Sequence, residues 1–403
     1  MGDGRIRIKR HAKMIKVHRV ELKPNNKQKT YFVKACGVAR FAYNWALAEW
    51  QEAYKRGDKV SEASLRKALN ACKRIEYPWM LEVTKNSPQQ AIKNLGTAFK
   101  RFFQKKGGYP KFKKKGVHDS FRADNGPPQK GMDAVVVEGK YIYLSVIGKV
   151  KLKEKIRCSG QIKSVTIVRE ASKWYAAIGI DVQEETYVRK SHGTVGVDLG
   201  IKDLATLSDG TIIEGPKSYS RSLQRLRRKS RKLSKRKRGS KNYGKSKQIL
   251  ARHHARIKNI RLDCMHKLTT SLVTKYDKIC IEDLNVRGMA SNRRLSRSIM
   301  DQGFYEFRRQ LTYKGEWYRA KVYIADRYYP SSKLCSSCGE KNIDLKLGDR
   351  TWQCICGESH NRDENAAKNL AKLIGTVSST GTVTRVTKAC GEESAGILAV
   401  ANM

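Results

Sequence analysis

The sequence predicts an α/β multidomain chain, and three observations predict it. Apolar residues recur at helical spacing from Gln28 to Gln104 and again from Leu223 to Leu272. Between these stretches, residues 135–182 alternate apolar and polar with a period of two, the pattern of half-buried antiparallel strands. Further on, short apolar strands end in single acids close to a cluster of paired cysteines. At 403 residues the chain is long enough for two or three cores, which excludes a small stapled fold.

Met14 to Leu22 reads as a strand ending at the turn Pro24-Asn25-Asn26. A helix follows from Gln28 to Lys55, with Phe32, Cys36, Phe41 and Trp45 on its apolar face and Gly57 as its stop. Further helices are expected at Ser61 to Lys73 and Ser87 to Gln104, so a small helical domain is inserted after one strand. The segment Lys105 to Lys115 interleaves Tyr109 and Phe112 with Lys111 and Lys113 on a loop that Gly and Pro keep irregular. Base stacking with phosphate contact suits it. Strands at Val135 to Glu138, Tyr141 to Val146, Lys149 to Lys153, Ile162 to Arg169 and Trp174 to Val182 predict a small β-barrel, completed by the N-terminal strand.

Three more strands run through Thr194 to Gly200, Asp203 to Leu207 and Thr211 to Ile213. Two long helices joined near Gly239 to Gly244 follow, then a strand at Lys278 to Glu282 and a polar loop to Ser298. A helix around Tyr305 to Trp317, a strand at Lys321 to Ile324, the cysteine module and a last helix, Glu364 to Ile374, complete the order. Residues beyond Gly375, rich in Thr, Ser, Gly and Ala, predict a disordered tail.

Charge identifies the partner. Eighty-four Lys and Arg against 37 Asp and Glu give a formal charge of +47, a field that repels itself unless a polyanion neutralises it. No apolar run approaches the ~20 residues that span a bilayer, and no signal peptide opens the chain, so a soluble, cytoplasmic protein with no membrane partner is expected. The charge is concentrated: residues 221–240 hold 11 Lys or Arg, and no acid occurs from Lys217 to Leu262. Arg227, Arg228, Arg231, Lys235 and Arg236 on the first long helix are candidate phosphate contacts that would release counterions on binding.

Chemistry is carried by acids and cysteines. Asp198 closes the apolar run Val195-Gly196-Val197, Glu282 closes Ile279-Cys280-Ile281, and Asp363 begins a helix whose apolar face includes Ala366, Ala367 and Leu370. Phosphodiester hydrolysis with two metals needs such carboxylates at one point, because hard divalent cations take oxygen ligands. Each acid alone also reads as structural, Asp363 as a helix N-cap. Alternation turns Asp283 away from Glu282, and Asp203 falls in the following turn. Cys335-Ser336-Ser337-Cys338-Gly339 is a knuckle, and Cys354 with Cys356 supplies a second thiol pair for one tetrahedral zinc. The Cys-x-Cys spacing leaves open the transfer of a ligand position to His360. The other six cysteines are scattered and read as small buried hydrophobes in a reducing compartment.

Val197-Asp198-Leu199-Gly200, Ile281-Glu282-Asp283-Leu284-Asn285 and Arg362-Asp363-Glu364-Asn365-Ala366-Ala367-Lys368-Asn369 resemble, in order, the three segments of the split RuvC nuclease of TnpB (OrfB) proteins. These are transposon-encoded RNA-guided endonucleases related to type V CRISPR effectors. Tyr43-Asn44-Trp45-Ala46-Leu47 and Tyr109-Pro110-Lys111-Phe112 extend the resemblance over nearly the whole chain. It implies an RNase H-like RuvC nuclease with a zinc ribbon insertion, a β-barrel wedge domain and a helical recognition domain. One departure is Asn361, where the family usually carries the first Asp of Asp-Arg-Asp.

On this basis residues 1–24 and 117–188 are expected to form the wedge, 25–116 the recognition domain, 189–330 and 359–376 the nuclease, 331–358 the zinc ribbon and 377–403 a disordered tail. The resemblance implies a monomer holding a guide RNA from the transposon end. It would cut double-stranded DNA beside a short flanking motif, with two magnesium ions on Asp198, Glu282 and Asp363 and one structural zinc. The alternatives are an RNA-guided DNA-binding repressor that dispenses with catalysis, a DNA transposase, and a CRISPR effector proper.

Overall fold

The computed structural model describes residues 14–125, 135–182, 193–346, 348–376 and 383–386, and divides into two compact units, Met1–Glu185 and Thr186–Met403. Among the described residues no helix is long and apolar enough to cross a membrane.

The first unit opens with strand β1 (Met14–Lys23) and helix α1 (Asn26–Arg56). A capping box fixes the start of α1: Gln28 N–H donates to the Asn25 side chain, and Asn25 N–H donates to Gln28 Oε1. Gly57, at φ 80°, ends it. Helices α2 (Glu62–Cys72) and α3 (Asn86–Phe103) complete the helical part, with Phe32, Leu47, Ile92 and Leu95 fully buried. Strands β2 (Ser120–Asp124), β3 (Val135–Glu138), β4 (Tyr141–Leu144), β5 (Gly148–Leu152), β6 (Gln161–Glu170) and β7 (Lys173–Val182) join β1 in one antiparallel seven-stranded sheet of order β2-β6-β7-β1-β5-β4-β3. The N-terminal strand therefore lies at the centre of the sheet. Asn125 bridges the two edges: its side chain exchanges two 2.7 Å hydrogen bonds with the backbone of Val135 while its own N–H donates to Lys163 O. Strand β2 was not expected from the sequence: its five residues alternate, with Phe121 and Ala123 buried, but the run is short, carries two charges and has no β-branched residue.

The second unit contains β8 (Thr194–Asp198), β9 (Ala205–Leu207), β10 (Ile212–Ile213), the basic helices α4 (Ser218–Ser234) and α5 (Lys241–Lys275), and β11 (Lys278–Glu282). Next come α6 (Val286–Ser291), α7 (Ser296–Gln302), α8 (Phe304–Tyr318) and β12 (Lys321–Ala325). The hairpin β13 (Thr351–Gln353) and β14 (Ser359–Asn361), helix α9 (Arg362–Leu373) and strand β15 (Val383–Val386) close the unit. The six-stranded sheet has the order β10-β9-β8-β11-β12-β15, with β8, β11, β12 and β15 parallel.

Two expectations are corrected here. The polar stretch before Ser298 forms α6 and α7, because Asn285 caps α6 through Gly288 N–H and the buried Asp301 of α7 accepts from Tyr219 and Ser220 N–H at the start of α4. Within the expected disordered tail, 377–403, residues 383–386 pair with β12 and so satisfy an edge that would otherwise leave backbone groups open. The rest of that tail lies outside the described residues.

Alternation sorts the parallel strands onto two faces. Val195, Val197, Ile279, Ile281, Val322 and Ile324 belong to a core shared with α5 and α8, whereas Cys280, Tyr323 and Ala325 pack with Leu370 and Leu373 of α9. Gly196 lies on the α9 face, where a Cβ would meet Ala367 O at 1.9 Å and Ala371 N at 2.5 Å. The α9 backbone thus rests directly on β8. On the other face Lys314 is buried, its ammonium donating to His266 O, Thr269 Oγ1 and Thr270 Oγ1 at 2.7–2.9 Å.

Two outcomes follow from this packing. Gly196→Ala should destabilise the second unit by more than about 3 kcal/mol in chemical denaturation, since the α9 backbone, which cannot rotate away as a side chain could, blocks the added methyl. Burial lowers the Lys314 pKa from 10.5 to about 8. The unfolded chain then binds the extra proton between these values, so stability rises with pH through that window. Wild type should gain on the order of 2 kcal/mol relative to Lys314→Met from pH 8 to 10.5, measured as the difference between their denaturation curves.

Candidate metal and nucleic-acid sites

The parallel register sets Val197 beside Ile281, so Asp198 and Glu282 leave neighbouring strands one step later, both on the α9 face. Asp363 sits in the first turn of α9, the helix that lies on Gly196. Burial, and then the negative charges of Glu282 and Asp363, raise the Asp198 pKa well above the usual carboxylate range, with Arg362 and Arg350 opposing. Burial also raises Glu282, whose Oε1 accepts from Ser331 Oγ at 2.5 Å. Glu282 and Asp363 thus lie near enough for their charges to bear on Asp198, although among the described residues only the four thiols below close to metal-ligand spacing. An all-oxygen donor set of this kind fits hard divalent cations such as magnesium.

Asp363 is not the helix cap. Asn361 takes that role, its side chain accepting from Asp363 N–H at 3.1 Å and Glu364 N–H at 3.3 Å. The departure at position 361 is therefore a good N-cap residue in its own right, and it leaves the Asp363 carboxylate to interact with Arg350 Nη1 at 3.3 Å. Asp283 turns to the opposite face, where it is buried between Arg308 and Arg327.

The four thiols of Cys335, Cys338, Cys354 and Cys356 lie within 4.8 Å of one another. Cys335 and Cys356 are 3.7 Å apart and Cys338 and Cys354 3.6 Å, close to the ~3.8 Å edge of a tetrahedron with ~2.3 Å zinc–sulfur bonds. The Cys-x-Cys pair reaches this geometry because Gly357, at φ 89°, reverses the chain at once and donates to Cys354 O. His360 stands outside the thiol set, its Nε2 3.0 Å from Cys335 Sγ and its ring 4.8 Å from that of Trp352. These residues fit a structural zinc held by four thiolates.

Helix α9 grips this module through two buried asparagines. Asn365 accepts from Ser336 N–H at 2.8 Å and donates to Leu334 O, and Asn369 donates to Ser331 O and Leu334 O. Ser331, Asn365, Asn369 and Arg350 were not singled out from sequence. The two asparagines, four apart on an apolar helix face, were the available signal.

In the first unit, Lys113 N–H donates to Asn44 Oδ1 and Asn44 Nδ2 donates to Lys113 O, clamping the aromatic loop to α1. The Lys113 ammonium lies 4.0 Å above the Tyr43 ring, whereas Lys111, Tyr109 and Phe112 remain exposed, the last two at 45% and 50%. In the second unit Arg227, Arg228, Arg231, Lys235 and Arg236 are all exposed on or just after α4.

This is the fold of Cas12f-like proteins: the structure titled "Cryo-EM structure of the Cas12f1-sgRNA-target DNA complex" matches with a TM-score of 0.54 at 16% identity, over 85% of this chain and 83% of that one. Family models match for OrfB_IS605, described as "Probable transposase", over residues 177–293, for the Cas12f1-like TNB domain over 304–370, and for a helix-turn-helix domain over 14–59. The last description does not fit the local geometry, which is β1 followed by the single helix α1. "Putative RNA-guided DNA endonuclease InsQ" of Escherichia coli (strain K12) is 32% identical over 376 residues, 89% of this chain and 92% of that protein. A "Putative RNA-guided DNA endonuclease" of Streptomyces pristinaespiralis is 34% identical over 355 residues, 86% of each. The chain belongs to the TnpB (OrfB) family.

Elemental analysis of the purified protein should give one zinc per chain. Cys338→Ser should abolish it, whereas His360→Ala should keep that stoichiometry while weakening zinc affinity by about 10–100-fold, the effect of losing a partner of a ligand.

Proposed function

We propose that this protein is an RNA-guided DNA endonuclease that cuts double-stranded DNA beside a short flanking motif, with Asp198, Glu282 and Asp363 as its catalytic carboxylates. The observation that carries the reading is the convergence of three acids, two at the ends of adjacent parallel strands and one on the helix lying across them. The names of the relatives supply the guide and the target class.

In this reading the second unit is an RNase H-like RuvC nuclease and Cys335, Cys338, Cys354 and Cys356 hold the zinc of an inserted ribbon. The seven-stranded sheet is the wedge, and α1 to α3 form the recognition domain. Asp198, Glu282 and Asp363 hold two magnesium ions, whose chemistry when bound is to stabilise the attacking and leaving oxygens of an in-line displacement. Ser331 fixes the orientation of Glu282. Arg350, already beside Asp363, is placed to hold a non-bridging oxygen of the scissile phosphate through its guanidinium. Asn365 and Asn369 tie the zinc module to α9, so that the ribbon stiffens the segment carrying the third acid. Lys111, Tyr109 and Phe112, with the cations of α4, contact nucleic acid, and the protein acts as a monomer in the cytoplasm of its host.

Protein purified with its RNA should cut a matched, correctly flanked plasmid in magnesium. Asp198→Ala, Glu282→Ala and Asp363→Ala should each slow cutting on the order of 10³-fold or more with guided binding retained, and Arg350→Ala should slow it less. Full cutting by Asp198→Ala, or no cutting by wild type, would refute the assignment.

A further inference from the structure

A cleft of ≈ 270 Å³ opens in the second unit beside the loop that follows β8. Ile201 and Leu223 give it an apolar wall, Tyr219 an aromatic one, and Lys217, Arg294 and Arg297 three cations. None of the three cations makes an ion pair with an acid among the described residues, and all three are exposed. Asp301 also lines the cleft, but its carboxylate is spent on Tyr219 and Ser220 N–H and on Arg261, so it does not offset them.

The position of the cleft matters as much as its charge. Gln302 Nε2 donates to Ile201 O at 2.7 Å, fixing the cleft wall to a residue three positions after Asp198. Three residues span at most about 11 Å of chain. The Ile201 backbone, and with it one wall of the cleft, therefore lies within about 11 Å of that of Asp198. The volume lies just below the ~300–1,000 Å³ range of small-ligand pockets, which suits one nucleotide unit and not a duplex.

We propose that this cleft seats a single nucleotide of the strand being cut, with Arg294 and Arg297 on its phosphate and Tyr219 against its base; the proposal rests on the nuclease reading above. Arginine suits the phosphate because its planar fork can donate two bonds at once, and an aromatic face accepts any base without reading sequence. The cleft then sets which phosphodiester reaches Asp198, Glu282 and Asp363. Arg294, Arg297 and Tyr219 are positioning residues, acting on the register of the strand.

The test uses the full protein with its copurified RNA. For the R294A/R297A double variant, the cutting rate at saturating target should fall by about 10–100-fold, the scale of a misplaced substrate. Its cut positions should spread over neighbouring bonds while target binding stays close to wild type. Y219A should spread the cuts too, and Y219F should restore them. Independently, a 4-thiothymidine placed one to three nucleotides from the cut should crosslink to the peptide containing Tyr219. Unchanged rate and cut position in R294A/R297A, or crosslinks that never include that peptide, would overturn the cleft assignment. Wild type that fails to cut at all would instead sink the nuclease reading on which it rests.

Discussion

The second unit depends on one close approach, the α9 backbone lying against Gly196. A helix normally stands off a sheet by the length of the intervening side chains. At Gly196 there is none, and Ala367 O occupies the space a Cβ would need. Because α9 lies so near β8, its first turn brings Asp363 to the end of the strand that carries Asp198. The cluster is thus assembled by a backbone contact and not by attraction among the acids: burial, and then the repulsion of Glu282 and Asp363, raises the Asp198 pKa. Such repulsion persists only where the fold imposes it, and it is relieved by a cation.

Two further features protect that geometry. The hydrogen bonds of Asn365 and Asn369 join α9 to the segment from Ser331 to Ser336, which carries both the partner of Glu282 and the first cysteine. Buried polar groups of this kind are satisfied or costly, so they fix one register of the helix against the knuckle. Asn361 completes the arrangement by capping α9, leaving the carboxylate of Asp363 free of that duty.

Much of this was legible in the sequence because its signals are local. An acid ending an apolar run marks Asp198 and Glu282, and paired cysteines beside glycines mark the thiol cluster. Helical spacing gave α1, α3 and α8 within a few residues. What escaped depends on tertiary contact. Strand β2 alternates but is only five residues long and carries two charges, α6 is held by its Asn285 cap, and α7 is tied down by the reach of Asp301 to the first turn of α4. The importance of Gly196 follows only from knowing which helix lies above it. Arg350 looked like one cation among 84 until the fold set it beside Asp363.

The central claim, that the three acids cut phosphodiesters by holding hard cations, is tested most directly by replacing a non-bridging oxygen of the scissile phosphate with sulfur. Sulfur binds magnesium poorly and softer manganese better. The account predicts cutting of the substituted target that is slowed strongly in magnesium and recovers in manganese. Equal rates for the oxygen and sulfur targets in magnesium, or a slow rate that manganese leaves unchanged, would contradict it.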